Sequence, residues 1–326
     1  MSQNVYDVLE QRGFLAQVTD EDAVRDLLAQ ETVTFYIGFD LTATSLHAGS
    51  LVPIMAMMHL QRAGHTPIAL VGGGTTMVGD PSGKTEMRQM LSEARIRAYG
   101  DSIHAQLDRY LHMSEGQGIA VNNADWLLPL NYVTFLREIG VHFSVNRMLA
   151  AEAYKQRLER GLSFIEFNYQ LLQAYDYLSL YREYGCTLQM GGDDQWGNIL
   201  AGVDLIRRVE GVTVQAMTFP LLTTATGAKM GKTAGGAVWI DGDLLGPYDY
   251  YQYWVNCDDR DVERFLKLFT FMPLSEIEQL ASLEGADIRA AKQTLAFKAT
   301  EISHGTQAAQ DAQAAAKAAF GSAASG

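Results

Sequence analysis

The chain has only two cysteines in 326 residues, Cys186 and Cys257, with no second cysteine near either, which excludes a disulfide framework and a CxxC-type zinc site. Thiols so placed are expected to be buried structural residues in a reducing compartment. Nowhere does the chain reach the ~20 consecutive apolar residues of a membrane-spanning helix. The opening MSQNVYDVLEQRG has neither the apolar run of a signal peptide nor the arginine bias of a transit sequence. The expectation is a cytoplasmic protein with no membrane partner. Positive charge is also scarce: 25 Lys+Arg against 38 Asp+Glu leave −13, which excludes a surface generally coated by nucleic acid and confines any such contact to a local strip. What is abundant is apolar: 48% of residues, with 19% charged, suit a chain that buries a sizeable core. No internal repeat is visible.

The pattern alternates. Thr19–Gln30 reads as a helix opened by Thr19 and Asp22 as a capping arrangement, Val33–Gly38 as a buried strand, and the stretch from Gly49 to Gly64 as a helix carrying Leu51, Ile54, Met55 and Met58 on one face. Strand Pro67–Val71 leads into GGGTT and GDPSGK, then a long helix from about Glu86 to Leu111. A strand around Ile119–Val121, helices in 131–184 and strand Thr187–Met190 follow, and GGDDQWGN opens another helix. Such alternation predicts an α/β fold with a doubly wound parallel sheet, whose ligand crevice lies at the carboxyl ends of the strands. After Thr233 only helices are expected, at about 246–256, 258–271, 274–282 and 287–304. The expected division is a catalytic domain over 1–245, with a helical insertion and dimer region at about 122–162, then a small all-helical domain over 246–305. The last 21 residues contain ten alanines and few large apolar groups, so a weakly anchored tail is expected over 306–326.

Three constellations carry chemistry. Tyr36-Ile-Gly-Phe-Asp40 is followed after six residues by His47-Ala-Gly49-Ser50 at a helix start, where Gly49 permits close backbone approach and unpaired N–H groups can meet phosphate. By itself this also fits an ordinary strand-to-helix loop. Gly227-Ala-Lys229-Met-Gly-Lys232-Thr233 is a glycine-bracketed loop able to bring ammonium groups to charge that grows in a transition state, and by itself it also fits a solvated basic loop. Tyr169, Gln173 and Asp176 lie at i, i+4 and i+7, on one helix face within roughly 60°. A core that buried such a Gln and Asp without partners would be costly, which favours a site.

In order and separation, HAGS and KMGKT resemble the HIGH and KMSKS signatures of class I aminoacyl-tRNA synthetases. With YIGFD, GDPSGK, FNYQLLQAYD and GGDDQWGN between them, residues 5–305 resemble the bacterial-type tyrosyl-tRNA synthetases. The resemblance implies a Rossmann-like catalytic domain and an ATP-dependent ligase that makes tyrosyl-adenylate from L-tyrosine and ATP and passes the tyrosyl group to tRNA(Tyr). Mg²⁺ is expected as MgATP, without a dedicated protein site. Carried over position by position, Tyr36 and Asp176 receive the phenolic hydroxyl, Asp80, Tyr169 and Gln173 the ammonium group, and Gln189 and Gln195 complete the tyrosine site. Asp40, Gly192, Asp194 and Gln195 line the ribose and carboxylate side. His47, Gly49 and Ser50 meet ATP, and Lys84, Arg88, Lys229, Lys232 and Thr233 close over pyrophosphate.

Trp196, Arg207 and Arg208 are candidate tRNA contacts, as are Lys155, Arg157 and Arg160, for which a solvated helix face serves as well. Asn131–Phe143, with Tyr132, Phe135, Leu136, Ile139, Val141 and Phe143, carries more apolar surface than one inward stripe needs, and the resemblance implies a homodimer through it. Departures from the family pattern are Ala48 and Ser50 in the first signature and Leu41 where proline is usual. The sequence ends without the small RNA-binding domain typical of the family, so strong adenylate formation and poor tRNA charging are expected. Rival readings are a tryptophanyl synthetase, which the Tyr36 and Asp176 pair suits less well, another nucleotidyltransferase, and a catalytically silent scaffold of the same fold.

Overall fold

The computed structural model describes residues 3–30, 32–82, 91–113, 116–150, 154–155, 158–159, 161–227, 229–233 and 236–321. Helices α1 (Val5–Arg12) and α2 (Glu21–Gln30) precede strand β1 (Thr34–Phe39), α3 (Leu51–Arg62), β2 (Thr66–Val71), α4 (Thr75–Val78) and α5 (Glu93–Tyr110). Strand β3 (Ile119–Asn122) is followed by α6 (Ala124–Leu127), α7 (Tyr132–Glu138), α8 (Val145–Leu149), α9 (Phe164–Phe167) and α10 (Tyr169–Tyr184). Then come β4 (Leu188–Gly192), α11 (Trp196–Glu210), β5 (Gln215–Phe219) and a short ribbon of β6 (Lys232–Thr233) and β7 (Gly236–Ala237). Helices α12 (Pro247–Val255), α13 (Val262–Phe269), α14 (Leu274–Ala281), α15 (Ile288–His304) and α16 (Thr306–Gly321) complete the chain.

The five long strands form one parallel sheet in the order β3-β2-β1-β4-β5. The strand order turns outward on both sides of β1, so the crevice of a doubly wound sheet lies at the ends of β1 and β4. Tyr36 of β1 pairs in register with Gln189 of β4, which puts both side chains on one face. Beneath that face Tyr36, Leu171, Ala174, Tyr177 and Leu178 share one buried cluster, and Tyr36 and Tyr177 meet at 5.3 Å between ring centroids. Helix α10 stops at Gly185, whose left-handed φ of 63° closes the last turn through bonds from Gly185 N to Tyr181 O and Cys186 N to Leu180 O.

Two compact units result, along a line that differs from a single cut at Gly246. The first comprises 1–7, 15–44 and 57–221, and the second 8–14, 45–56 and 222–326. The second takes in HAGS and KMGKT because backbone pairing, with Ala48 N bonded to Val238 O and Ile240 N to Leu46 O, ties 45–50 to 238–240. Its core is aromatic: Trp254 packs against Phe265 and Phe269 at 5.9 and 4.9 Å. Arg12, buried, crosses to α13 and donates to the carbonyls of Lys267, Thr270 and Met272 at 3.0, 2.9 and 2.5 Å, so the orphaned acceptors of that helix end are met by a distant side chain.

Several expectations change. Asp20, not Thr19, caps α2, accepting from Ala23 N at 3.0 Å, while the Thr19 hydroxyl donates to Gln215 in β5. The long helix begins at Glu93, and residues 83–90, where its expected start falls, lie outside those described. Strand β5 and helix α1 were not anticipated. The alanine-rich end is no loose tail through Gly321: α16 packs on α12 and α15, with Ala309, Ala312 and Ala316 buried. Methyl-sized side chains let helices approach closely, so docking there does not require large apolar groups. Ala309→Leu should therefore overpack this seam and cost about 1–3 kcal/mol, read as a lowered urea midpoint, whereas the same change at exposed Ala314 should leave the midpoint within error.

Candidate active site

In the first unit β1, β4 and α10 carry a set of buried polar side chains. Asp176, 1% exposed, accepts hydrogen bonds from Asn123 Nδ2 at 2.9 Å and Trp126 Nε1 at 2.7 Å. Burial pushes its carboxyl up to about 7; the Asn123 and Trp126 donors pull the other way, and the charge of Asp40 adds to the rise. The Tyr36 hydroxyl is buried with no hydrogen-bond partner among the described residues, and burial, then the charge of Asp176, raises its pKa well above the ordinary phenol value. Gln173 Oε1 and Gln189 Oε1 are likewise buried without partners. An unmet buried polar atom costs about 1–3 kcal/mol, so three of them on β1, β4 and α10 are the chemistry of a place prepared for a polar guest.

Beside them Asp80 accepts from Gln195 Nε2 at 2.6 Å and from Ser82 N at 2.9 Å, an Asp-Pro turn that also reaches across the crevice. Burial, then the charge of Asp40, lifts its carboxyl to about 6. Asn198 ties Ser82 to Gln195, with bonds of 3.3 and 3.2 Å. Tyr169 is buried at the start of α10, Asp40 is half-buried at the end of β1, and Gly192 ends β4 with Asp194 close against it. The unit thus gathers Tyr36, Asp40, Asp80, Gln173, Asp176, Gln189 and Gln195.

In the second unit the two signatures touch. A Cβ at Gly49 would come within 2.7 Å of Met230 O, and one at Gly231 within 2.5 Å of Gly49 N and 2.7 Å of His47 Nδ1, so only glycine fits at either crossing position. Gly231 also has φ of 77°, the left-handed region that favours glycine. The expected nest of open N–H groups is not what forms: Ala48 N bonds Val238 O, Gly49 N bonds His47 Nδ1 at 3.0 Å and Ser50 N bonds His47 O. With Nδ1 accepting, a neutral His47 ring carries its proton on Nε2. Ser50 is half-buried in this turn and Lys229 is exposed. Of Lys232 and Thr233 only the backbone, in β6, is described, and Lys84 and Arg88 lie outside the described residues.

Trp196 opens α11, half-buried. Arg207 and Arg208 are exposed, and both pair with Asp204, as does Arg147, at 2.6, 2.8 and 3.2 Å. Lys155 is exposed; Arg157 and Arg160 fall outside the described residues. Sequence reasoning missed Asn123 and Trp126, the partners of Asp176. Their signal was position: NADW follows β3 at a strand's carboxyl end, as YIGFD closes β1 and GGDDQWGN runs on from the end of β4. Among the described residues no group of three or more His, Cys, Asp or Glu could hold a metal ion, and no helix is long and apolar enough to cross a membrane.

Comparison with known proteins matches residues 28–321 to the family described as tRNA synthetases class I (W and Y). The chain is 62% identical over 318 residues to a tyrosine–tRNA ligase of Syntrophus aciditrophicus, covering 98% of this chain and 74% of that protein. It is 59% identical over 320 residues to one of Desulfosudis oleivorans, with the same coverage. Among solved structures, a C-terminally truncated mitochondrial tyrosyl-tRNA synthetase of Aspergillus nidulans superposes with a TM-score of 0.88 at 30% identity, covering 98% of this chain and 94% of that one.

The raised pKa values have a stability consequence. An acid whose folded pKa exceeds its unfolded value stabilises the fold most below the unfolded pKa and loses that contribution as pH rises through the folded one. For Asp176 the loss runs from about pH 4 to about pH 7. The ligand-free protein should lose stability between about pH 4 and about pH 7, and Asp176→Asn should flatten that slope by on the order of 4 kcal/mol, measured by urea unfolding at each pH.

Proposed function

The chain belongs to the class I tyrosyl-tRNA synthetases, and from that premise we propose that it joins L-tyrosine to tRNA(Tyr) through a tyrosyl-adenylate. The observation that carries the choice of tyrosine is the buried pair of Tyr36, with an unmet hydroxyl, and Asp176, with a carboxylate already braced by two donors. A phenol satisfies both: it accepts from Tyr36 and donates to Asp176. Phenylalanine would leave both groups unmet, a discrimination of roughly 10²-fold or more from about 1–3 kcal/mol per group. An indole N–H offers a donor but no matching acceptor for the Tyr36 hydroxyl.

At the other end of the amino acid, Asp80, Gln173 and Tyr169 take the ammonium group. Gln189 and Gln195 border the amino acid, while Asp40, Gly192, Asp194 and Gln195 face the ribose. The tyrosine carboxylate is ionised at neutral pH and needs no base. One of its oxygens attacks the α-phosphorus of MgATP in line, the bond to the bridging oxygen breaks, and pyrophosphate leaves with both electrons. His47, through Nε2–H, and Ser50 donate to the phosphates beside Gly49. Lys229, Lys232 and Thr233, with Lys84 and Arg88, offset the charge that gathers on the departing pyrophosphate. The terminal ribose hydroxyl of the tRNA then attacks the tyrosyl carbonyl and AMP leaves. Trp196, Arg207 and Arg208 flank that acceptor end, where RNA phosphates compete with Asp204 for the guanidinium groups.

Two copies pair through the apolar surface of α7 and its neighbours, where Tyr132, Val133, Val141 and Val145 are each more than half exposed. Sedimentation should show a dimer at micromolar concentration, and Leu136→Glu on the same surface should yield a monomer.

Tyrosine-dependent ATP–pyrophosphate exchange tests the assignment. Exchange should require tyrosine and fail with tryptophan; Asp176→Ala should cut kcat/KM for tyrosine by about 10²-fold or more. Lys229→Ala should lower kcat by about 10²-fold with tyrosine affinity unchanged. Exchange supported equally by phenylalanine would refute the reading.

A further inference from the structure

The loop bearing the second signature hangs from the helical part of its own unit by contacts that the reaction above does not use. Tyr253, in α12, donates its hydroxyl proton to Met230 Sδ at 3.1 Å and accepts from Gly231 N at 3.4 Å. Its ring is fixed edge-on against Trp254 at 5.1 Å, in the aromatic core. At the base of the loop, the carboxylate of Asp261 accepts from Ala225 N at 2.8 Å and pairs with Arg264, whose Nη2 also donates to Thr223 O at 2.6 Å. Thr223 in turn bridges to Lys229, and Met230 N bonds Leu222 O.

Asp261 is 2% exposed, and a buried carboxylate is costly unless its partners compensate it. Two of its partners here are a loop N–H and a guanidinium that itself grips the loop. What its burial secures is the loop's base, while Tyr253 secures its tip at Met230 and Gly231, the residues that lie against Gly49 and His47.

We propose that Tyr253, Asp261 and Arg264 are positioning residues for adenylate formation: they hold the loop at Thr223 and Ala225 and at Met230 and Gly231 so that its lysines are presented to pyrophosphate, which makes the helical segment part of the activation machinery. The inference rests on the synthetase reading. Because the tyrosine pocket lies in the other compact unit, these residues act on the rate and on ATP, not on tyrosine affinity.

The test uses the full chain, with the rate of tyrosyl-adenylate formation per titrated active site, tyrosine affinity from protein fluorescence, and the melting temperature measured together. Tyr253→Phe keeps the ring and removes only the hydroxyl; it should slow the per-site rate by about 5- to 20-fold and leave tyrosine affinity within twofold. Asp261→Asn should slow it at least as much. Where Asp261→Asn fails to fold, Arg264→Lys, at a half-exposed side chain that loses its fork, takes its place and should show the same split. A per-site rate unchanged in Tyr253→Phe overturns the proposal, as does tyrosine affinity falling by the same factor as the rate, which would mean general loosening. If the parent chain forms no adenylate with tyrosine, the synthetase reading falls and takes this inference with it; an active parent with unaltered variants sinks this inference alone.

Discussion

The buried polar cluster of the first unit depends on the two hydrogen bonds that Asp176 accepts from Asn123 and Trp126. A carboxylate this deep in the protein is tolerable only while its lone pairs are occupied, and those two donors occupy one on each oxygen while leaving room for a third partner. The requirement spreads outward. Asn123, fully buried, also accepts from Gly74 N at 2.8 Å and donates to the Thr75 hydroxyl at 3.0 Å. The ends of β2 and β3 and the middle of α10 are therefore fixed by one amide. The run Gly72–Gly74 follows from the same crowding, since a Cβ at Gly73 would meet Asn122 Oδ1 at 2.2 Å.

The second unit solves a different problem by backbone pairing. Its functional loops come from distant parts of the chain, and residues 238–240 link them: Val238 bonds both Ala48 N and Gly231 O, and His47 bridges to Trp239. Side chains rigidify the first unit's site, whereas main-chain bonds and glycine contacts rigidify the second's. That difference suits the proposed chemistry, in which the first unit selects a small aromatic molecule with side-chain atoms and the second holds polyphosphate with cations on a backbone of fixed course.

Much of this was legible beforehand. Strands β1 to β4 fall within a residue or two of their expected positions because buried parallel strands read as short apolar runs between glycines. Strand β5, QAMTF, lacks that density and was passed over. That Tyr169, Gln173 and Asp176 share one face of α10 is legible from spacing, yet Asn123 and Trp126 as partners of Asp176 are not: hydrogen bonds spanning about fifty residues leave no periodic trace. The expected phosphate-binding N–H groups at the HAGS turn failed for a local reason, since His47 folds back on Gly49 and a neighbouring strand takes Ala48. The docking of the alanine-rich end is not legible from bulk, since a seam of methyl groups at Ala309, Ala312 and Ala316 buries a helix by proximity.

The contact between Gly49 and Gly231 limits how the protein can be recombined. Each loop is shaped to the other's missing side chain, so the pair behaves as a lock and its key cut together. A side chain brought to either position by one imported signature would collide with the backbone of the other, so the two signatures and the Val238–Ile240 segment form a set to be exchanged together.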